Sequence, residues 1–270
     1  MTAGIYFNKN YISSNRDNVQ KIQSKLSVAG VQCRIVESFG DLNGLDVLFV
    51  LGGDGTILMV ASECAARGVK IIGINYGHVG FLAEFEPAKL GEAVDLVLSG
   101  QYRVQKRSML KVECGGKCFY ALNDLVVQRS TNGKNFANAV NLHAEIDGTT
   151  VDNFSSDGII VSTPTGSTAY SLSAGGSILA PELAAFILTP VCAHSLHSRP
   201  VVFSDSSVLK IRPVNAKIPL VFAVDGKIAG EIKDGGLITV TKADILAEFI
   251  TAADNNFFNK LLLKLSIWSK

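Results

Sequence analysis

Leu51-Gly52-Gly53-Asp54-Gly55-Thr56 follows the apolar run Val47-Leu48-Phe49-Val50 and precedes Ile57-Leu58-Met59-Val60-Ala61, so one carboxylate stands among glycines where a buried strand turns into a helix. Glycines carry no Cβ and let the backbone come close to a ligand, and successive N–H groups at a helix start hold phosphate oxygens through their partial positive charge. Asp54 is then a carboxylate beside bound phosphate, and a phosphoryl-transfer site needs a residue that takes a proton from an alcohol. Taken alone, the turn fits equally well an ordinary strand-to-helix connection with Asp54 as the helix cap.

Outward from this turn, the first hundred residues alternate strand-like runs with stretches of helical period. The runs are Gly4 to Phe7, Val31 to Val36, Val47 to Leu51 and Val69 to Ile74. Between the first two, Val19, Ile22 and Leu26 recur at spacings of three and four, with Ser14 or Asn15 as a cap and Gly30 as a stop. Leu90, Val94, Val97 and Leu98 form another apolar stripe that ends at Gly100. This βαβ alternation predicts an α/β domain on a parallel sheet over residues 1–100. From residue 101 to 251 the chain reads mainly as short strands joined by turns such as Asp147-Gly148, Asp225-Gly226 and Asp234-Gly235-Gly236, which predicts a β-rich, sandwich-like second domain. Ser167 to Ala174 has a helical look, and Pro181 to Leu188 is a further apolar segment, so that domain is not read as wholly β. The tail, 252–270, contains the amphipathic run Phe257 to Trp268, a closing helix whose default role is packing.

The 270 residues are 47% hydrophobic, enough for a real core without staples. Twenty-five Lys and Arg against 24 Asp and Glu leave a net charge of +1, without the basic field of nucleic-acid proteins. The start Met1-Thr2-Ala3-Gly4-Ile5 has no secretory pattern, and no apolar run approaches the roughly 20 residues of a membrane span, so a cytoplasmic protein with no membrane partner is expected. Five cysteines form no disulfide framework. Cys114-Gly115-Gly116-Lys117-Cys118 has half the spacing of a zinc site, but its glycines between strand-like runs favour a hairpin turn. His194-Ser195-Leu196-His197 lacks a third ligand, so no protein metal site is predicted.

In open α/β sheets, ligands gather at the carboxyl ends of strands. Gly52 to Thr56 lies at one such end, and Gly73-Ile74-Asn75-Tyr76-Gly77-His78-Val79-Gly80-Phe81-Leu82 runs out from the neighbouring strand, so the two loops are expected to share a crevice. Neither carries the dinucleotide Gly-x-Gly-x-x-Gly or a P-loop pattern in its usual setting, which disfavours Rossmann dehydrogenases and P-loop ATPases. A third stretch, Ser155 to Gly176, is dense in hydroxyls and glycines around Tyr170, and suits either a polar ligand with a flat base or a Ser/Thr-rich turn into a capped helix.

With these residues in view, the chain closely resembles the NAD kinase family, nearly end to end. The likeness rests on Gly52-Gly-Asp-Gly-Thr56, Gly77 to Glu84, Asn123-Asp124, Ser162-Thr-Pro-Thr-Gly-Ser-Thr-Ala-Tyr170, His194-Ser-Leu with Arg199-Pro200, and the Phe257-to-Trp268 tail. The first of these is shared with lipid kinases and the phosphofructokinase superfamily, whereas the Thr163-to-Tyr170 run is far more specific. The resemblance implies a phosphofructokinase-like, Rossmann-type first domain, a β-rich second domain, a tail that returns to the first, and a homodimer or homotetramer acting between its domains. It implies transfer of a phosphoryl group from ATP or polyphosphate to the adenosine 2′-hydroxyl of NAD, with Mg²⁺ or another divalent cation arriving with the nucleotide.

By the same resemblance Asp54 is the base, with Gly52, Gly53, Gly55 and Thr56 forming the phosphate-binding turn around it. Phe81 and Leu82 flank the adenine, Asn123 bonds it, and Asp124 contacts the ribose. Thr165, Thr168, Ala169, Tyr170 and Ser173 bind adenine and the nicotinamide half, and Asp157 lies near nicotinamide, in its own or a neighbouring subunit. The chain departs from the family at Asp124, where glutamate is common, at Ser155-Ser156, where Arg-Gly is frequent, and at Leu262, where arginine often stands. Two alternatives share the same turn: a lipid or diacylglycerol-type kinase, and a nucleotide-binding regulator without catalysis.

Overall fold

The computed structural model describes residues 1–7, 12–76, 80–130, 139–217, 219–252 and 256–268. Gly77, His78 and Val79 of the second loop lie outside them. Two compact units emerge, Met1–Arg107 with Leu246–Lys270, and Ser108–Ile245.

The first unit is built on strands β1 (Thr2–Phe7), β2 (Gln32–Ile35), β3 (Val47–Leu51), β4 (Lys70–Ile74), β5 (Arg103–Arg107) and, from far along the chain, β18 (Ala247–Thr251), with strands numbered in chain order. Their order is β2-β1-β3-β4-β18-β5. All neighbours run parallel except β18 and β5. The chain leaves β1 for β2 on one side and then crosses to β3 on the other, so β1 and β3 flank the point where the winding reverses, the usual place for a ligand crevice at the carboxyl ends. All five residues of β3 are buried, which its unbroken apolar run reflects, because a parallel strand is covered on both faces.

Helix α1 (Ile12–Val28) buries Val19, Ile22 and Leu26, and α3 (Leu90–Ser99) buries Leu90, Ala93, Val94 and Val97. Both share one core with Ile5, Phe49 and Ile72 of the sheet. The periodicity placed these residues inward, and α1 starts at Ile12, ahead of Ser14 and Asn15. Gly30, Gly68 and Gly100 end the helices or follow them with φ near +70°, a conformation glycine adopts at no steric cost. Helix α2 (Asp54–Arg67) buries Ile57, Val60, Ala61 and Cys64. Helix α5 (Phe257–Trp268) closes the unit.

The second unit holds β6 (Leu110–Cys114), β7 (Lys117–Ala121), β8 (Asp124–Arg129), β9 (Val140–Ile146), β10 (Thr149–Ser156), β11 (Gly158–Ser162), β12 (Ala185–Val191), β13 (Val201–Ser204), β14 (Leu209–Pro213), β15 (Leu220–Val224), β16 (Lys227–Ile232) and β17 (Ile238–Lys242). They form two antiparallel six-stranded sheets, β10-β9-β14-β17-β6-β7 and β13-β12-β11-β8-β15-β16. Leu142, Phe154, Ile211 and Val240 of the first sheet and Leu125, Ile159, Phe186 and Phe222 of the second enclose a single core, a sandwich. The expected turns are present: Gly115-Gly116, Asp147-Gly148 and Asp225-Gly226 all have positive φ at both residues, the geometry of tight two-residue hairpins. Cys114 and Cys118 therefore flank a hairpin turn.

Two sequence expectations differ from this architecture. Pro181 to Leu188, set apart from the strands, leads into β12, an interior strand, because the short apolar run from Leu183 to Leu188 carries no period that separates buried strand from buried helix. Strands 103–107 and 247–251, assigned from composition to the β-rich domain, pair with each other and, through β18, with β4 of the first sheet. Phe154, on β10, is 1% exposed and packs in the sandwich core. Phe154→Ala should lower the unfolding free energy by about 3–5 kcal/mol in urea titration, whereas Val202→Ala on an edge strand should change it by about 0.5 kcal/mol or less.

Candidate functional site

The turn after β3 delivers Asp54 to the first position of α2, with Gly53 as the N-cap, so Asp54 is not the cap that the turn alone allowed. Its carboxylate reaches instead to the loop after β4, where it accepts the backbone N–H groups of Phe81 at 2.8 Å, Leu82 at 3.1 Å and Ala83 at 3.3 Å. The two loops thus meet in one place, as their strand ends predicted. A Cβ at Gly80 would run into the Asp54 carboxyl group, so this approach requires glycine. At Gly52 a Cβ would strike the Thr56 side chain, which makes that pair a packing contact. At Gly53 and Gly55 a Cβ would meet nothing within 4 Å. The backbone there borders open space at the start of a helix, where N–H groups have no partner within the helix.

Helix α5 braces the same loop. The rings of Phe257 and Phe81 lie 5.9 Å apart, Lys260 Nζ donates to Glu84 Oε2 at 2.6 Å, and Lys264 Nζ sits 4.3 Å from the centroid of the Phe81 ring. The tail therefore belongs with Asp54, as the resemblance implied. Burial pushes the Lys264 ammonium pKa down, and the Asp54 carboxylate opposes that shift. Leu262, where the resemblance leads one to expect arginine, is exposed.

Asn123 and Asp124 lie in the second unit, where their backbone is gripped from two sides. Asp225 Oδ2 accepts the N–H of Leu122 at 2.8 Å, and its Oδ1 accepts those of Asn123 at 2.7 Å and Asp124 at 3.2 Å. The Asp225 N–H returns to the Asp124 carbonyl at 3.0 Å. From the other side, the Thr163 N–H donates to the Asn123 carbonyl at 2.9 Å and the Thr163 hydroxyl to the Leu122 carbonyl at 2.5 Å. Gly166 packs directly on the Asn123 backbone and leaves no room for a Cβ. Asp225 was visible in the sequence only as half of a hairpin turn, since its partners lie about a hundred residues earlier.

The hydroxyl-rich stretch divides in two. Ser162, Thr163, Thr165 and Ser167 are buried, and Ser167 accepts the Leu179 N–H at 2.9 Å while donating to the Pro164 carbonyl at 2.7 Å. Ser171 is bonded to Thr189 at 2.9 Å. Thr168 and Ala169 are half-buried, and Tyr170 and Ser173 are exposed, on a single turn followed by the short helix α4 (Tyr170–Ser173). Asp157 is held by Arg129 through both terminal guanidinium nitrogens at 3.2 Å. Its charge therefore has a partner within its own chain. Among the described residues no group of three or more His, Cys, Asp or Glu is placed to hold a metal ion, and no helix is long and apolar enough to cross a membrane.

Asp124 is 5% exposed, and its carboxyl pKa is pushed up to about 7, first by burial and then by the neighbouring Asp225 carboxylate. Burial also raises Asp225, against the three N–H bonds that pull it down.

The chain is similar to proteins of known kind. Residues 8–102 match the ATP-NAD kinase N-terminal domain, and residues 122–252 match the ATP-NAD kinase C-terminal domain. An NAD kinase of Moorella thermoacetica is 38% identical over 263 residues, 95% of this chain and 82% of that protein. One from Carboxydothermus hydrogenoformans is 36% identical over 259 residues, 93% and 90% of the two chains. Among solved structures, yeast NADH kinase complexed with NADH superposes with a TM-score of 0.85 at 25% identity, covering 100% of this chain and 89% of that one. An NAD kinase from Archaeoglobus fulgidus in complex with ATP gives 0.78 at 27% identity, with 96% of each chain covered.

The Asp124 carboxyl releases its proton near pH 4 when unfolded and near 7 when folded, so ionisation opposes folding increasingly as pH rises from about 4 to about 7 and by a constant amount above. Asp124→Asn should therefore be more stable than the parent by about 2–4 kcal/mol at pH 8, and the gain should vanish near pH 4. Urea unfolding of both unliganded proteins at the two pH values checks this; a gain independent of pH would contradict it.

Proposed function

The chain belongs to the ATP-NAD kinase family, and on that premise we propose that it makes NADP by moving a phosphoryl group from ATP, or from polyphosphate, onto the 2′-hydroxyl of the adenosine ribose of NAD, with Asp54 as the base. The observation that carries this reading is the fixed Asp54 carboxylate, which three successive backbone N–H groups of the loop after β4 hold beside the carboxyl end of β4. The ribose oxygen attacks the terminal phosphorus as the bond from phosphorus to the leaving oxygen breaks. The hydroxyl proton passes to Asp54, and the leaving phosphate chain departs with the bonding pair.

The open backbone at Gly53 and Gly55 supplies donors for phosphate oxygens, and the contact between Gly52 and Thr56 keeps the turn tight. Phe81 and Leu82, whose N–H groups orient Asp54, border the adenine side. Asn123 takes the adenine and Asp124 the ribose, while Thr165, Thr168, Ala169, Tyr170 and Ser173 shape the remainder of the dinucleotide site. Asp157 sits near the nicotinamide, with Arg129 balancing its charge. A divalent cation neutralises charge on the phosphates when bound. Such a cation would come with the nucleotide, held mostly by phosphate oxygens and water. A dimer or tetramer is part of the same proposal, and light scattering measures it.

Asp54→Asn keeps the side-chain shape but removes the proton acceptor. NADP formation from NAD and ATP, followed in a coupled assay, should fall by about 10²- to 10⁴-fold without a change in the far-UV circular dichroism spectrum. An undiminished rate would overturn the assignment.

A further inference from the structure

Phe81, Leu82, Ala83 and Glu84 give four successive N–H groups to fixed acceptors, the first three to Asp54 and the fourth to the Gly73 carbonyl at 3.1 Å. The Gly73 carbonyl also takes the Phe85 N–H at 3.1 Å, and a Cβ at Gly73 would strike the Ala83 backbone, so β4 holds the end of this run closely. A second hold comes from α5, through the Phe257 ring on Phe81 and through Lys260 Nζ, 2.6 Å from Glu84 Oε2. The Glu84 side chain is 8% exposed and that of Lys260 is 21% exposed. A carboxylate so far withdrawn from water needs a cation, and Lys260 supplies it. Helix formation alone does not call for a lysine at this place. The Asn256 side chain accepts the Phe258 N–H at 2.9 Å where α5 begins, so Lys260 lies in the first turn, where a cation opposes the helix dipole. Phe258, Leu262 and Leu265, spaced four and three apart, remain exposed, so α5 docks by one side only. Apolar contacts have no preferred direction and let a helix slide, whereas a short charge-assisted hydrogen bond fixes its place.

We propose that Lys260 is a positioning residue for phosphoryl transfer: through Glu84 it fixes residues 81–83 where their N–H groups aim the Asp54 carboxylate. The proposal rests on Asp54 being the base. Glu84 directly follows the three donors, so a movement of Glu84 is passed to them along the backbone. Without Lys260 the Glu84 charge is buried and unpaired, and it relaxes by turning towards water and drawing residues 81–83 with it. Asp54 then keeps its charge and loses its direction. Proton transfer in the transition state depends on that direction, and a misplacement of about 1 Å costs up to about 10²-fold in rate. Lys260 touches neither substrate, so its removal acts on the chemical step more than on the binding of the phosphoryl donor.

Four variants test this: Lys260→Met, which keeps the stem, Lys260→Arg, which keeps the charge, the double variant Glu84→Met with Lys260→Met, which replaces the pair by apolar chains, and Leu262→Ala on the exposed side of α5 as a control. Lys260→Met should lower kcat about tenfold or more and leave KM for ATP within about twofold. Lys260→Arg should recover most of the loss, and Leu262→Ala should match the parent. The double variant should regain the Tm of the parent, because apolar side chains replace a buried ion pair without loss of stability, while its kcat stays low. Recovery of kcat together with Tm in the double variant, or equal kcat in Lys260→Met and Leu262→Ala, would overturn the proposal. Amide hydrogen exchange of the unliganded protein, followed by NMR, reads the positioning without turnover. Relative to the amides of Phe49 and Ile72 in the sheet, those of Phe81, Leu82 and Ala83 should exchange about tenfold or more faster in Lys260→Met and at the rate of the parent in Lys260→Arg. A parent protein that makes no NADP would contradict the reaction assigned to it, whereas unchanged exchange at residues 81–83 in Lys260→Met would refute the positioning itself.

Discussion

One carboxylate, lodged against three consecutive backbone N–H groups, organises the first unit. Hydrogen bonds from neutral donors to a charged acceptor are worth about 1.5–3 kcal/mol each, so the contacts of Asp54 with Phe81, Leu82 and Ala83 tie the turn after β3 to the loop after β4. The tie is possible only because residue 80 lacks a Cβ. It stands at the carboxyl ends of β3 and β4, and β3 is one of the two strands that flank the reversal of winding; α5 covers the tie through Phe257, Lys260 and Lys264. In a phosphoryl transfer with a loose transition state, little covalent work falls to the protein and most catalysis comes from position and charge. A carboxylate with a fixed direction is suited to that task.

The second unit repeats the device with a different carboxylate. Asp225 also accepts three successive N–H groups, those of residues 122–124, and it comes from a hairpin turn whose positive φ places the side chain there. In each case a loop whose own donors would otherwise seek water is shaped by an acid from elsewhere in the chain. The consequence for Asp124 is specific. It is buried beside a second carboxyl group, which favours its neutral form, and a neutral carboxyl can donate a hydrogen bond where an ionised one only accepts.

Much of this was legible from residue order. The three-and-four spacing of Val19, Ile22 and Leu26, the five-residue buried run of β3 and the paired turn residues at 115–116, 147–148 and 225–226 encode local geometry, and local geometry follows from local sequence. The meeting of the two glycine loops followed from strand order alone. Contacts over long separations were not legible. Asp225 gives no sign that its side chain serves residues 122–124, and the hydroxyl-rich stretch from 155 to 176 suited a ligand site or a turn equally, because composition does not say that Ser162, Thr163 and Ser167 spend bonds internally. Membership of a sheet is also tertiary: strands 103–107 and 247–251 have the same short alternating character as the sandwich strands but pair into the parallel sheet.

The central claim concerns the direction of one side chain relative to one alcohol. A crystal structure of the protein with NAD and a non-hydrolysable ATP analogue tests it most directly. The account predicts a carboxylate oxygen of Asp54 at about 2.6–3.2 Å from the adenosine 2′-oxygen. An adenosine ribose bound out of reach of Asp54, with another side chain at its 2′-oxygen, would contradict it.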